Sequence, residues 1–255
     1  EYTIERREIY QFRAKKADLW KKGNIFLLGD AAHQIPPYAG QGLSSGIRDV
    51  ANLSWKLNLV INGSIDKIML ESYQIERETQ VEETIKSSIA LGKLIDSLAI
   101  AYRKKIPLAD AVAPEARDQA FGNYKANSSK DINSGIYFYS LNHSYAGKLI
   151  PKFKLRNRHN VEFDLDNLLF GRISIISNGD AKKELSNRTI QFYKILNSKF
   201  LNIQNYTFKN SEFKDILKSG TIIVRPDMFI YGVTDNENSL EDMSMQFFNS
   251  LCMNN

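Results

Sequence analysis

Asp30 is the residue whose position in this sequence most directly suggests chemistry. It stands just after the apolar run Ile25 to Leu28, and a loop rich in proline and glycine leads from it to the helix-like segment that begins at Leu43. An ionised aspartate accepts hydrogen bonds, and the amino end of a helix offers unpaired backbone N–H groups with partial positive charge. Together these groups suit a cofactor that carries hydroxyls and an electron-rich edge, which points to a flavin.

The spacing of apolar residues predicts the elements that hold Asp30 in place. Asn24 to Leu28 is too short for a helix and has glycine on both sides, so it predicts a buried strand. Apolar residues recur at helical spacing from Leu43 to Ile61, and Asn62-Gly63 predicts the end of that helix. The remaining predictions for this half are a strand over residues 2–12, a short helix over 14–20, and a long helix from residue 64 or 65 to 103.

The loop between strand and helix has features that suit a flat ligand. Gly40 and Gly42 allow a ring to approach the backbone closely, and Pro36-Pro37 restricts the loop to few conformations. The spacing Gly40-x-Gly42-x-x-x-Gly46 does not match a dinucleotide fingerprint, because its last interval is too long and the strand ends well before it. On these residues alone a second interpretation stays open, in which Asp30 caps a turn and the glycines only relieve strain.

The periodicity changes after residue 147. The order of predicted elements, β-α-β-α-β-β-α, is typical of a small α/β layer with a mixed sheet. We therefore predict an amino-terminal domain over residues 1–105, a connection over 106–146 and a terminal domain over 147–255. The elements predicted in the terminal domain are strands at 161–163 and 171–176, a helix at 182–199, a strand at 200–208, a helix at 211–217, a hairpin of 221–225 with 228–233, and a helix at 240–251.

Composition excludes several classes of partner. There are 34 Lys and Arg against 29 Asp and Glu, and the basic residues occur as scattered pairs, which argues against nucleic acid. Cys252 is the single cysteine, and it forms no metal-binding pattern with the scattered His33, His143 and His159. No apolar stretch is long enough for a transmembrane helix. We therefore expect a cytoplasmic protein with no metal, no nucleic acid and no membrane among its partners.

Residues 23–57, which contain Gly29-Asp30-Ala31-Ala32-His33, resemble the second flavin-binding motif of class A FAD-dependent aromatic hydroxylases. These enzymes are of the p-hydroxybenzoate hydroxylase type, and the residues are most similar to the 3-(3-hydroxyphenyl)propionate hydroxylase branch. Leu70 to Arg77 resembles the helix that follows the motif in this family. Gly171 to Ser174 and Val224 to Asp227 resemble the thioredoxin-like terminal domain of the branch, although this sequence has no C-x-x-C pair.

The resemblance implies a fold, a cofactor and a site. The fold is α/β, the carboxy-terminal part of a hydroxylase FAD domain followed by a thioredoxin-like domain, and the cofactor is FAD. Asp30 would bind the ribityl hydroxyls, the backbone at Gly42 to Ser44 would lie against the pyrimidine edge, and the Pro37 carbonyl would lie near the reacting ring and the substrate. The implied cofactor-binding residues are Gly29, Asp30, Ala31, Ala32, Pro37, Gly40, Gln41, Gly42, Leu43 and Ser44.

The family reaction would be hydroxylation of a phenolic ring with NAD(P)H and O₂. The glycine fingerprint for the ADP part of FAD and the family's Asp-Gly motif are missing from this sequence, which begins at Glu1. We therefore expect the carboxy-terminal portion of a longer monooxygenase, inactive by itself, whose partner is a homodimer mate or the missing amino-terminal half. The alternative is a non-catalytic product of a split or decayed gene that acts as an interaction module.

Three residues near the motif receive no catalytic role at this point. His33 lies beside Asp30, but the sequence shows no acid that would act with it, so we expect a structural role. Asp49, like Arg48, is expected to pair locally with neighbouring elements.

Overall fold

The computed structural model describes residues 3, 5–107, 110, 112–114, 117, 131–132, 134–138 and 145–251. The chain folds into two compact units, of which the first comprises Glu1–Asp49 and Glu78–Ser128 and the second comprises Val50–Arg77 and Ser129–Asn255. The domain boundaries inferred from the sequence stay a prediction. Most of the predicted connection, together with His143 and Cys252, lies outside the described residues.

The first unit begins with short strands. They are β1 Lys15–Lys16, β2 Lys21–Lys22, β3 Ile25–Phe26 and β4 His33–Gln34. Strands β2 and β3 form an antiparallel hairpin, and β1 pairs antiparallel with β4. The predicted strand over Asn24 to Leu28 is present but is only two residues long. The expectation that it would be buried was wrong, because Ile25 is 72% exposed.

Two predictions for the start of the chain are wrong. The described part of residues 2–12 contains no strand, and residues 14–20 form no helix. Instead, Lys16 pairs with His33 in the β1–β4 ladder, and its ammonium group contacts Glu78 and Glu82. These partners are distant in sequence, and they hold the backbone extended where local spacing indicated a helix.

Two long helices dominate the middle of the chain. Helix α1 covers Gly42–Ile61, within one residue of the prediction, and α2 covers Ser72–Arg103. The second helix begins later than predicted, because the Asp66 carboxylate accepts a hydrogen bond from the Ile68 N–H and caps a separate 3-10 turn.

The second unit is an α/β assembly. Its elements are β5 Lys154–Asn157, β6 Glu162–Asp164, α3 Leu165–Leu169, β7 Ser174–Ser177, α4 Asn187–Ile195, β8 Lys199–Asn202, β9 Tyr206–Thr207, α5 Ser211–Ser219, β10 Ile222–Val224, β11 Ile230–Val233 and α6 Leu240–Ser250. A four-stranded sheet has the order β11-β10-β7-β8, in which β7 and β8 are parallel and the other pairs are antiparallel. A three-stranded sheet has the order β6-β5-β9.

The terminal hairpin, the short helix before it and the closing helix are confirmed, whereas the helix predicted at 182–199 is interrupted. Asp180 and Ser186 both act as caps: the Asp180 carboxylate accepts from the Lys182 N–H, and the Ser186 hydroxyl accepts from the Thr189 N–H. Two caps six residues apart start two separate helical segments. Lys199, the predicted last residue of the helix, already belongs to β8.

A buried ionic network lies at the centre of the second unit. The Arg225 guanidinium donates to both carboxylate oxygens of Glu76 at 3.0 and 2.7 Å and to those of Asp227 at 3.0 and 2.6 Å. It also donates to the Ile136 carbonyl at 2.7 Å, so all five of its N–H groups are used. The Lys56 ammonium contacts Glu76 at 2.9 Å, and the side chains of Lys56, Glu76 and Arg225 are fully buried.

The network shifts the pKa values of Glu76, Lys56 and Arg225. Burial disfavours the charged form of Glu76, but the positive charges of Arg225 and Lys56 outweigh that effect and lower its pKa to about 2. Burial lowers the pKa of Lys56 to about 8, against the attraction of Glu76. Ionised Glu76 is therefore a group on which the stability of the fold depends.

Glu76→Gln is expected to make the protein less sensitive to acid. The folded pKa of Glu76 lies below its ordinary value of 4.5, so its contribution to stability is complete above that pH and is lost as the pH falls towards 2. The free energy of unfolding, measured by urea denaturation across this range, should depend less on pH in the variant. Glu162→Gln is the control, since Glu162 is exposed at its ion pair. If the free energy of unfolding fell with decreasing pH as steeply in Glu76→Gln as in the wild type, the role of the network would be contradicted.

Candidate functional site

The acidic residue of the motif lies in a tight turn beyond β3. Gly29–Ala31 form a 3-10 turn, and Gly29 has a φ of +55°, a conformation that favours glycine. Asp30 is exposed at this turn. Its side chain borders a pocket of about 350 Å³, whose other lining residues are Gln11, Phe12, Arg13, Gln34 and Ile35.

The start of α1 presents backbone donors. The Gln41 carbonyl accepts from the Ser45 N–H at 2.9 Å and closes the first turn of the helix. The N–H groups of Gly42, Leu43 and Ser44 precede this bond, so they point out of the helix end. The Ser44 hydroxyl donates back to the Gln41 carbonyl at 3.1 Å and to its side-chain oxygen at 2.9 Å, and Leu43 is 80% exposed.

The acidic turn and α1 are in direct contact. A Cβ atom added at Gly46 would lie 3.3 Å from the Gly29 Cα, which is closer than the backbone tolerates without a shift. One helical turn further on, the Asp49 carboxylate accepts from the Gly29 N–H at 3.0 Å. The structure therefore brings the turn that carries Asp30 together with the helix whose first amides face outward.

The loop between them forms a second rigid turn. Pro37–Ala39 are a 3-10 turn that ends at Gly40, with a φ of +60°. The Ser88 hydroxyl of α2 donates to the Pro36 carbonyl. A Cβ atom at Gly40 or at Gly42 would meet no heavy atom within 4 Å, so the space beside both glycines is open.

His33 has the acidic partner that the sequence did not reveal. Its Nε2 lies 2.7 Å from the Asp49 Oδ2, and both side chains are completely buried. The expectation that no acid would act with His33 was wrong. Asp49 pairs with neighbouring elements as expected, since it contacts Gly29 in the turn and His33 in β4. His33 and Asp49 are sixteen positions apart, and the residues between them carry no signal of the pairing, which depends on the contact between α1 and the turn.

These groups fit a flavin. The exposed carboxylate suits ribityl hydroxyls, the outward amides suit an electron-rich ring edge, and the open space at Gly40 and Gly42 suits a flat ring. Ala32 differs from the other predicted site residues: it is 2% exposed, its N–H donates to the Gly29 carbonyl and its carbonyl accepts from the Ala17 N–H. Both of its backbone polar groups are therefore hydrogen-bonded to other parts of the protein.

Known proteins similar to this chain include FAD-dependent hydroxylases. Residues 1–88 match the family described as "FAD binding domain". A 3-(3-hydroxy-phenyl)propionate/3-hydroxycinnamic acid hydroxylase from Mycolicibacterium vanbaalenii is 40% identical over 114 residues, which cover 44% of this chain and 20% of that protein. A probable NADH-specific resorcinol 4-hydroxylase from Rhodococcus jostii is 46% identical over 85 residues, which cover 33% of this chain and 16% of that protein.

Similarity also extends along nearly the whole chain. A hydroxylase of the first kind from Mycobacterium avium is 25% identical over 98% of this chain and 47% of its own length. The solved structure of the flavin-dependent monooxygenase PieE, in complex with FAD and substrate, superposes with a TM-score of 0.68 and 18% identity over 96% of this chain and 50% of that one. Aklavinone-11 hydroxylase gives a TM-score of 0.67 at 17% identity, over 96% of this chain and 46% of that one.

These findings confirm the resemblance to class A FAD-dependent aromatic hydroxylases, their α/β fold and FAD as the cofactor of the matching domain. The chain spans half or less of the length of these relatives and solved structures. In the parts of the chain that the structure describes, no helix has both the length and the apolar character needed to cross a bilayer.

Proposed function

We propose that this chain supplies the part of a hydroxylase FAD site that holds the isoalloxazine ring and the ribityl chain. The observation that carries the proposal is the contact between the turn of Asp30 and helix α1, which sets an exposed carboxylate and outward N–H groups on one rigid support. Asp30 accepts hydrogen bonds from the ribityl hydroxyls. The amides of Gly42, Leu43 and Ser44 donate to the pyrimidine edge of the ring.

FAD, when bound, supplies the redox chemistry for oxygen transfer to an aromatic ring. The contribution of this chain is binding and electrostatics: the positive end of α1 favours negative charge on the ring edge that it faces. The Pro37 carbonyl, which also accepts from the Gly40 N–H at 2.9 Å within its turn, would lie beside the ring on the substrate side. By analogy with the named relatives, the substrate is a phenolic compound and the electron donor is NADH or NADPH.

We propose that the residues that bind the ADP part of FAD lie in a further polypeptide segment, since this sequence has no glycine fingerprint for that part of the cofactor. The first unit exposes several large apolar side chains, which such a segment would cover. These side chains are Ile9, Tyr10, Phe12, Leu19, Ile25, Leu43 and Ile47.

A homodimer mate is the other partner that we propose to test for this surface. The same exposed side chains favour a second function, in which the chain is a non-catalytic interaction module. For the terminal part we propose a thioredoxin-like domain that packs and does no thiol chemistry, supported by the mixed sheet and the single cysteine. The single cysteine also supports a cytoplasmic location.

Titration with three ligands tests the proposed site. Because the chain would hold only the ring and its ribityl tail, riboflavin and FAD should bind with the same affinity. The dissociation constant should lie above about 1 µM for both ligands. ADP should not compete with either of them. Flavin fluorescence quenching measures all three. No binding of riboflavin would favour the interaction module, and displacement of FAD by ADP would contradict the proposed division of the cofactor.

A further inference from the structure

Asp49 and His33 form a buried pair beneath the turn that carries Asp30. One carboxylate oxygen, Asp49 Oδ2, accepts from the Gly29 N–H at 3.0 Å and lies 2.7 Å from His33 Nε2. Both side chains are fully buried. With Asp49 ionised, His33 carries its proton on Nε2 and donates it, so the carboxylate ties both ends of the segment from Gly29 to His33 to the side of α1.

Two further contacts leave this segment little freedom. The Gly29 backbone touches α1 at Gly46. A Cβ atom at Gly46 would force a shift of this backbone, and a Cβ atom at Gly29 would be strained by the positive φ of that residue. On the other side, the Trp20 ring packs against the His33 ring at a centroid distance of 5.3 Å, and Trp20 is fully buried. The segment from Gly29 to His33 is thereby held between α1 and the Trp20 indole.

Packing of the core alone does not explain why a carboxylate and an imidazole are buried together here. A buried carboxylate and a buried imidazole contribute little net stability, because desolvation offsets much of their attraction. Within the described residues His33 Nδ1 has no hydrogen-bond partner, a further cost of burying this ring. The pair fixes the geometry of the turn, since Asp49 Oδ2 contacts both Gly29 and His33 in the segment that presents Asp30.

We propose that Asp49 and His33 are positioning residues for the flavin. They touch neither ring nor ribityl chain; they hold the Asp30 carboxylate at a constant distance from the amides at the start of α1, which lie on the same helix as Asp49. The Asp30 carboxylate and the α1 amides are then already in place when the ribityl chain and the ring edge bind, so binding does not have to order them. This inference rests on the proposed function.

Asp49→Ala is expected to weaken riboflavin binding to this chain by at least about tenfold, because a turn that moves must be ordered again when the flavin binds. Asp49→Asn keeps an acceptor oxygen and should recover part of the affinity. Val81→Ala is the matched control: Val81 is completely buried in α2 and belongs to the first unit, so it lowers stability without touching the turn. Thermal unfolding of each variant shows whether the losses of stability match.

Hydrogen–deuterium exchange without flavin gives a second readout. Peptides covering residues 29–34 should exchange faster in Asp49→Ala and at the wild-type rate in Val81→Ala. Equal losses of affinity in these two variants, or wild-type exchange in Asp49→Ala, would overturn the positioning role while leaving the site intact. Failure of the wild-type chain to bind riboflavin would instead overturn the proposed function, and the positioning role with it.

Discussion

Arg225→Met is expected to lower the free energy of unfolding by about 3–5 kcal/mol, the largest effect of any single substitution considered for stability. The arginine gives all its donors to Glu76, Asp227 and the Ile136 carbonyl, and its side chain is fully buried. Methionine fills much of the volume, but it leaves the Asp227 carboxylate buried without the guanidinium that compensates its charge. Urea denaturation measures the loss.

Arg156→Met is the matched control for this substitution. Arg156 also pairs with a glutamate, but its side chain is 53% exposed, so the change should cost less than about 1 kcal/mol. A double-mutant cycle of Arg225→Met with Glu76→Gln should show strong coupling, because the residues contact each other directly. Equal effects of Arg225→Met and Arg156→Met would contradict the importance of the buried network.

Asp30→Ala is expected to weaken the binding of both riboflavin and FAD by about tenfold to a hundredfold. A hydrogen bond to a charged acceptor is worth about 1.5–3 kcal/mol, and the alanine variant loses every such bond from the ribityl chain. Stability should change little, because Asp30 is exposed. Fluorescence titration of wild type and variant measures the difference.

The control for Asp30 is Asp96→Ala, which removes an exposed carboxylate from α2 in the same unit. It changes the net charge equally, so it separates a direct contact from a general change of the electrostatic field. Asp30→Asn should retain more affinity than Asp30→Ala, because the amide oxygen still accepts hydrogen bonds. Equal affinities of Asp30→Ala and Asp96→Ala would remove Asp30 from the site.

The elements that the sequence predicted well are those defined by local spacing. Helix α1 has apolar residues at helical intervals and a glycine stop, and its observed bounds agree within one residue. The hairpin of β10 and β11 surrounds Pro226-Asp227, a turn signal between two apolar runs. In both cases the physical cause of the structure lies within a few residues of the element itself.

The elements that were missed depend on distant partners. Residues 14–20 look helical by local spacing, yet Lys16 is held in a ladder with His33 and in ion pairs with α2. Spacing within a short window carries no information on such pairing, because the competing contacts form only when the chain has folded.

The same limit applies to the buried charges. Glu76 and Arg225 are separated by 149 residues, and Lys56 lies on a helix whose charged residues would ordinarily face solvent. The sequence predicted Asp30 and the glycines as site residues because their chemistry is local to one loop. It did not predict the contact of Asp49 with His33, which depends on packing between α1 and the turn of Gly29.

The central claim is that the turn of Asp30 and the start of α1 together hold a flavin ring and its ribityl chain. The most direct measurement is an NMR titration of the isotopically labelled chain with riboflavin, followed through backbone amide shifts. The account predicts the largest shifts at Asp30 and at Gly42, Leu43 and Ser44. Shifts confined to other surfaces, such as the pocket of about 730 Å³ beside Phe153 in the second unit, would contradict it.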